Sequence, residues 1–189
     1  AESLVKRFDL KPEQRIKGVS HGQRVKSALL LALARRPRLL VLDEPTTGLD
    51  PVARHEVLGA LMEVLADERR TVLFSSQNTL DVEQISDQIT FIDRGRIIDS
   101  GDKESFLDRW RRLRLEVPAG IVLPTLPGVI GPANGVGSGR LTVVTTSGFN
   151  PTLPDVYRNA GATVHAVDTM TLEEIFVANV KSRREGLAA

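Results

Sequence analysis

The sequence predicts an α/β fold with a parallel-sheet core and a small α+β appendage at its C-terminal end. Two short apolar runs, residues 38–43 and 71–76, flank an amphipathic stretch of helical period. Strand, helix and strand make a βαβ unit, and continuous apolar strands are those that parallel sheets bury on both faces. Beyond residue 102 the pattern changes to alternating strands and short charged helices around a Pro- and Gly-rich stretch, as in a separate α+β layer. The boundary is placed between residues 105 and 106.

Each element has a local cause. Ser20 is a suitable N-cap for a helix over residues 22–36, and Pro37 stops it after Arg35 and Arg36. Its Leu and Ala content implies burial on most sides. The run 38–43 ends in acid, as a buried strand reaching a sheet edge can. Asp50 and Pro51 open the next helix, with an acid as cap and Pro at the first helical position. Leu58, Leu61, Met62 and Leu65 form its apolar face. Residues 89–93 and 96–99 flank Arg94-Gly95 as a hairpin. The appendage reads as a helix over 104–112, an alternating strand over 113–117, a Pro- and Gly-rich stretch over 118–139 and a strand over 141–146. A short helix over 154–160 and a strand over 162–168 follow. Thr171-Leu172-Glu173-Glu174 is a capping box opening a last helix through Val180. No internal repeat is visible.

Composition narrows the function classes. The 189 residues are 41% hydrophobic and 26% charged, an ordinary globular balance. With no cysteine, disulfide frameworks, thiolate zinc sites and a cysteine nucleophile are excluded. The longest apolar run, residues 28–34, is far short of the roughly 20 residues that a membrane helix needs. A net charge of +1 and 4% aromatic residues argue against a nucleic-acid partner. Lys6, Arg7, Lys11, Arg15, Lys17, Arg24, Lys26, Arg35 and Arg36 nevertheless make the first segment basic.

The chemistry-bearing residues stand in four short motifs: Val19-Ser20-His21-Gly22-Gln23, Leu39-Leu40-Val41-Leu42-Asp43-Glu44-Pro45, Thr47-Gly48-Leu49-Asp50-Pro51, and Ser75-Ser76-Gln77. An acid at the carboxyl end of a buried strand sits where α/β sheets bind ligands, and Asp43 can hold Mg²⁺ there beside a nucleotide. Glu44 points elsewhere and can act on an attacking water. Ser20 and Gly22 at a helix start offer free N–H groups to an anion. If the βαβ reading holds, Ser75 to Gln77 converge on the same sheet edge.

In this order the motifs resemble those of the ATP-binding-cassette (ABC) ATPases. Residues 19–23 resemble the signature sequence, residues 39–44 the Walker B strand with its catalytic glutamate, and Gly48-Leu49-Asp50 the D-loop. Gln77 falls at the position of the switch histidine. The appendage, with Thr171 to Phe176, more weakly resembles the C-terminal extension of ABC-2-type exporters. The resemblance implies a P-loop NTPase-like core that is incomplete here, with ATP and Mg²⁺ as cofactors. It also implies a nucleotide-sandwich dimer with a second ABC ATPase subunit. Ser20, His21, Gly22 and Gln23 would contact the γ-phosphate bound to the opposite subunit, Asp50 would communicate across the dimer, and Glu44 and Gln77 would be catalytic. The partner would be a membrane permease, and the location the cytoplasmic face of the membrane.

The sequence departs from the family pattern at several points. No Gly-x-x-x-x-Gly-Lys-[Ser/Thr] occurs, so the phosphate-cradling loop is expected upstream of Ala1 and the isolated chain is expected to be inactive or nearly so. Gly135 to Arg140 leads into a strand and reads as a flexible loop. His21 replaces the first signature Gly and is expected beside the phosphate position. Gln77 can hydrogen-bond but cannot shuttle a proton near neutral pH. Gly59 stands where a zincin motif begun by His55-Glu56 would need its second His, and His165 reads as a surface residue of a strand. The alternatives are a degenerate, non-hydrolysing half-cassette acting as a binding or regulatory module, or a soluble ABC ATPase.

Overall fold

The computed structural model describes residues 2–11, 13, 17–131 and 141–186. The chain divides into two compact units, Ala1–Ile85 and Ser86–Ala189.

The first unit runs α1 (Glu2–Arg7), α2 (His21–Ala34), β1 (Leu39–Asp43), α3 (Pro51–Leu65), β2 (Thr71–Ser75) and α4 (Thr79–Ile85). The two strands pair in parallel, with Leu39 opposite Thr71 and Asp43 opposite Ser75, so the expected βαβ unit is present. Its core joins Leu29 and Leu33 of α2, Leu40 of β1, and Val57, Leu58, Leu61 and Val64 of α3, with Phe8 and Ile85 closing it. Leu42, Val72 and Phe74 pack against this core from the same sheet face.

The opposite sheet face differs from expectation. Leu39, Val41 and Leu73 are exposed, because only two strands pair here and α2 and α3 cover one side alone. Among the described residues, therefore, the apolar run of β1 is buried on one face and bare on the other. Met62 also proves exposed; the buried stripe of α3 turns through Val57, Ala60, Leu61 and Val64 instead.

The second unit begins with the hairpin β3 (Gln88–Asp93) and β4 (Arg96–Asp102). Arg94 and Gly95 both adopt positive φ, 50° and 73°, the backbone of a type I′ turn that matches strand twist. Then come α5 (Lys103–Arg109), β5 (Arg111–Glu116), β6 (Val129–Ile130), β7 (Leu141–Thr146), α6 (Leu153–Asn159), β8 (Thr163–Thr169) and α7 (Leu172–Gly186). Strands β6, β7, β5 and β8 form one antiparallel sheet in that order, over a core of Leu113, Leu115, Val144, Leu153 and Tyr157.

The hairpin groups with this unit. Phe91 stacks edge-on to Phe106 and Phe176 at 5.2 and 5.4 Å, and Asn179 of α7 donates to Asp99 of β4. The compact division thus falls earlier than the 105/106 boundary read from the motifs. Helix α5 is shorter than expected: Trp110 is extended, and Arg111 and Arg112 enter β5. Helix α7 runs past Val180, and its capping box is formed, with Glu174 accepting from Thr171 N and Thr171 Oγ1 accepting from Glu174 N. His165 bonds Glu116 at the surface of the sheet. Residues 135–140 lie outside the described residues.

Candidate active site

Parallel pairing of β1 and β2 places both carboxyl ends at one sheet edge, and the polar residues gather there. Ser75 Oγ donates to Asp43 Oδ1 at 2.5 Å and accepts from Glu44 N at 3.1 Å. Among the described residues the second carboxylate oxygen of Asp43 takes no hydrogen bond. Glu44 lies at φ 46°, a conformation few side-chain-bearing residues adopt. That turn sends Glu44 away from Asp43 and toward Thr47, whose Oγ1 donates to Glu44 Oε2 at 2.7 Å. The two adjacent carboxylates are thereby held by different hydroxyls.

The loop between β1 and α3 is fixed from below. Thr46 Oγ1 donates to Asp81 Oδ2, and Arg54 Nε meets Asp81 Oδ1 at 2.6 Å. Asp81 on α4 therefore ties the residues after Glu44 to the first turn of α3. Asp50 caps α3 by accepting from Val52 N and Ala53 N at 3.0 and 2.9 Å. The Ala53 N–H first, then Val52 N–H and the Lys26 charge, hold the Asp50 carboxyl below its ordinary range against a partial desolvation effect.

The start of α2 is the second cluster. Ser20 and Gln23 form a capping box, with Ser20 Oγ accepting from Gln23 N at 3.2 Å and Gln23 Oε1 accepting from Ser20 N at 3.1 Å. The Ser20 hydroxyl proton and the Gln23 amide N–H groups are thus not consumed by the cap, and first-turn N–H groups have no partner within a helix. Gly22 faces α3: a Cβ there would sit 3.5 Å from Ala53 Cβ. His21 turns to the loop before α3, its Nε2 3.1 Å from Thr47 O. Its ring is thus engaged by the protein. Gln77 is exposed just past β2.

Of the sequence-derived residues, the structure brings together Asp43, Glu44 and Ser75 at the sheet edge, and links His21 to the Thr47–Asp50 segment. Sequence reading missed the roles of Thr47 and of Thr46, Arg54 and Asp81. The Thr-Thr pair beside Glu44 was a usable signal; nothing local marks Asp81 as buried. Among the described residues no group of three His, Cys, Asp or Glu side chains could hold a metal ion. A single carboxylate at a strand end suits Mg²⁺, which keeps water and substrate phosphate as its other ligands.

A family model described as "AAA domain, putative AbiEii toxin, Type IV TA system" matches residues 8–82. The chain is 36% identical over 98 residues to the glutamine transport ATP-binding protein GlnQ of Escherichia coli, covering 52% of this chain and 40% of that one. It is 38% identical over 103 residues to the daunorubicin resistance ATP-binding protein DrrA3 of Streptomyces coeruleorubidus, covering 53% of this chain and 32% of that one. A solved structure described as an ATP binding subunit of an ABC transporter superposes with a TM-score of 0.51 at 26% identity, covering 56% of this chain and 45% of that chain. The matched part has the α/β fold of ABC ATPase domains, and the chain spans less than half the length of the curated relatives it matches.

Proposed function

We propose that this chain is the C-terminal portion of the ATP-binding subunit of an ABC transporter, with residues 1–105 in the nucleotide-binding domain and 106–189 as an accessory domain. The observation that carries the proposal is the sheet edge where Ser75 holds Asp43 and Thr47 holds Glu44. The bare apolar face of β1 and β2 supports it further, because parallel sheets bury both faces and Leu39, Val41 and Leu73 await a covering layer. The phosphate-cradling loop, absent from these 189 residues, belongs to that missing part.

In this reading Asp43 would hold Mg²⁺, directly or through water. The bound Mg²⁺ would neutralise phosphate charge during transfer. Glu44 orients the attacking water and accepts its proton, and the Thr47 hydroxyl keeps the carboxylate aimed. Ser20, Gly22 and Gln23 present their unused donors to the γ-phosphate held by a second ATPase subunit, and His21 contributes its backbone N–H. Asp50 stands at the D-loop, where it communicates across the dimer. The work done is the cycling of a membrane permease from the cytoplasmic face, and no described helix is long and apolar enough to cross a membrane itself. The likeness of the appendage to ABC-2 extensions points to export.

The test uses the coding sequence extended upstream to the first in-frame start that includes a Gly-x-x-x-x-Gly-Lys-[Ser/Thr]. The extended protein is expected to hydrolyse Mg-ATP, and Glu44→Gln to bind ATP while losing at least the 10²-fold typical of a general base, about 10²–10⁴. Hydrolysis by Glu44→Gln at the unaltered rate would sink the assignment. A second reading, a non-hydrolysing half-cassette, is favoured by Gln77. It gains if the extended protein binds ATP without turnover and Gln77→His restores hydrolysis.

A further inference from the structure

The geometry points to a relay that aims Glu44 from the start of α2, through His21 and Thr47. It rests on reading Glu44 as the residue that acts on water. A carbonyl oxygen can only accept, so at 3.1 Å His21 Nε2 must carry the hydrogen that it gives to Thr47 O. The same residue, Thr47, gives its hydroxyl hydrogen to Glu44 Oε2. One residue thus takes a bond on its backbone and makes one with its side chain. The imidazole on α2 fixes where the Thr47 peptide stands, and Thr47 fixes where the Glu44 carboxylate stands.

The loop around Thr47 is built to accept this hold. Thr47 N donates to Glu44 O and Leu49 N to Thr46 O, each at 3.2 Å, which makes two consecutive tight turns. Gly48 sits at φ +73°, and a Cβ there would come within 3.4 Å of His21 Nε2. The ring fills the space that a side chain at 48 would otherwise claim. On the other side Thr46 is anchored by Asp81. Adjacent residues of one turn are therefore held from two helices, and Glu44 hangs from the one that His21 holds. The His21 ring and Thr47 are positioning groups in this scheme; neither side chain touches reacting atoms.

NMR on the labelled 189-residue chain, without nucleotide, tests the relay through two readouts. These are the exchange rates of the Thr47 and Leu49 amides and the side-chain carboxyl resonance of Glu44. In His21→Ala both amides should exchange roughly two- to tenfold faster, the factor for one net neutral hydrogen bond. The Glu44 resonance should move toward its position in Thr47→Val. His21→Gln, which keeps an N–H donor at similar reach, should restore both readouts, and His55→Ala on the exposed side of α3 should change neither. Wild-type values in His21→Ala would overturn the relay, as would His21→Gln behaving like His21→Ala, which would leave only ring packing. A Glu44 resonance unmoved in Thr47→Val would overturn its second step. Because no nucleotide enters, this result is separate from whether Glu44→Gln abolishes hydrolysis in the extended protein.

Discussion

Arg54 Nε lies 2.6 Å from Asp81 Oδ1, and the Asp81 side chain is 1% exposed while that of Arg54 is 28% exposed. The pair is asymmetric, and its two halves should not be equally costly to remove. Arg54→Met strands a buried carboxylate with only Thr46 as partner, a change of the kind that costs about 3–5 kcal/mol. Asp81→Asn keeps one amide oxygen to accept from Arg54, its Nδ2–H₂ can donate to the Thr46 hydroxyl instead, and the guanidinium can still reach water. We expect Arg54→Met to be the more destabilising, read from hydrogen exchange at the Val57 and Leu61 amides. The reverse order would mean that the carboxylate is solvated in solution.

Strand β1 should show alternating sensitivity. Leu40 is buried at 6% exposure and Val41 is 63% exposed. Leu40→Ala is expected to cost about 2–4 kcal/mol, the large-to-small penalty of a packed core. Val41→Lys should fall within about 0.5 kcal/mol of the unaltered chain, as surface changes do, and should raise its solubility by interrupting the bare apolar face. Denaturant midpoints of the two variants check this. Equal losses would show that the face carrying Val41 is covered in the isolated chain.

Asp50 gives the first unit an acid-sensitive cap. Its carboxyl is held below the ordinary value by the Ala53 and Val52 N–H groups and Lys26. A carboxyl depressed in the folded state contributes stability above its unfolded pKa, near 3.9, and loses it as pH falls through the lower folded value. Helix α3 should therefore weaken below about pH 4, and Asp50→Asn should flatten that part of the profile while keeping a capping oxygen. Circular dichroism against pH in the two proteins distinguishes them. An identical acid limb in both would place the sensitivity elsewhere.

What was legible in the sequence was local. The Ser20–Gln23 capping box, the Asp50-Pro51 helix start, the Arg94-Gly95 turn and the Thr171–Glu174 box depend on neighbours within four residues, and all are formed. The convergence of Asp43 with Ser75 followed from one topological step, the parallel pairing of two apolar runs. What stayed hidden depends on distant chain. Asp81 reads as an ordinary polar residue of a short helix until Thr46 and Arg54 fold over it. The bare side of Leu39 and Val41 could not be read from a run whose apolar pattern suits burial on both faces. Arg111 and Arg112 look like a helix end, yet Trp110 turns extended and Arg112 finds Glu174 across the unit. The hold of the His21 ring on Thr47 likewise depends on a loop carbonyl 26 residues away.

Tyr157 offers a test of the second unit. It is 1% exposed, and among the described residues its hydroxyl has no hydrogen-bond partner. Burial pushes its pKa above the ordinary value. A buried hydroxyl without a partner loses its hydration for nothing, so Tyr157→Phe should be neutral or stabilise the unit by up to about 1 kcal/mol. The sign of the alkaline response follows from the same burial. A raised folded pKa means that the contribution is intact below the unfolded value, near 10, and is lost as pH rises past it toward the folded value. The unaltered protein should therefore lose stability above about pH 10 through this residue, and Tyr157→Phe should not. Thermal midpoints of both proteins at neutral pH and above pH 10 decide the matter. A Tyr157→Phe protein less stable at neutral pH would show that the hydroxyl has a partner in solution.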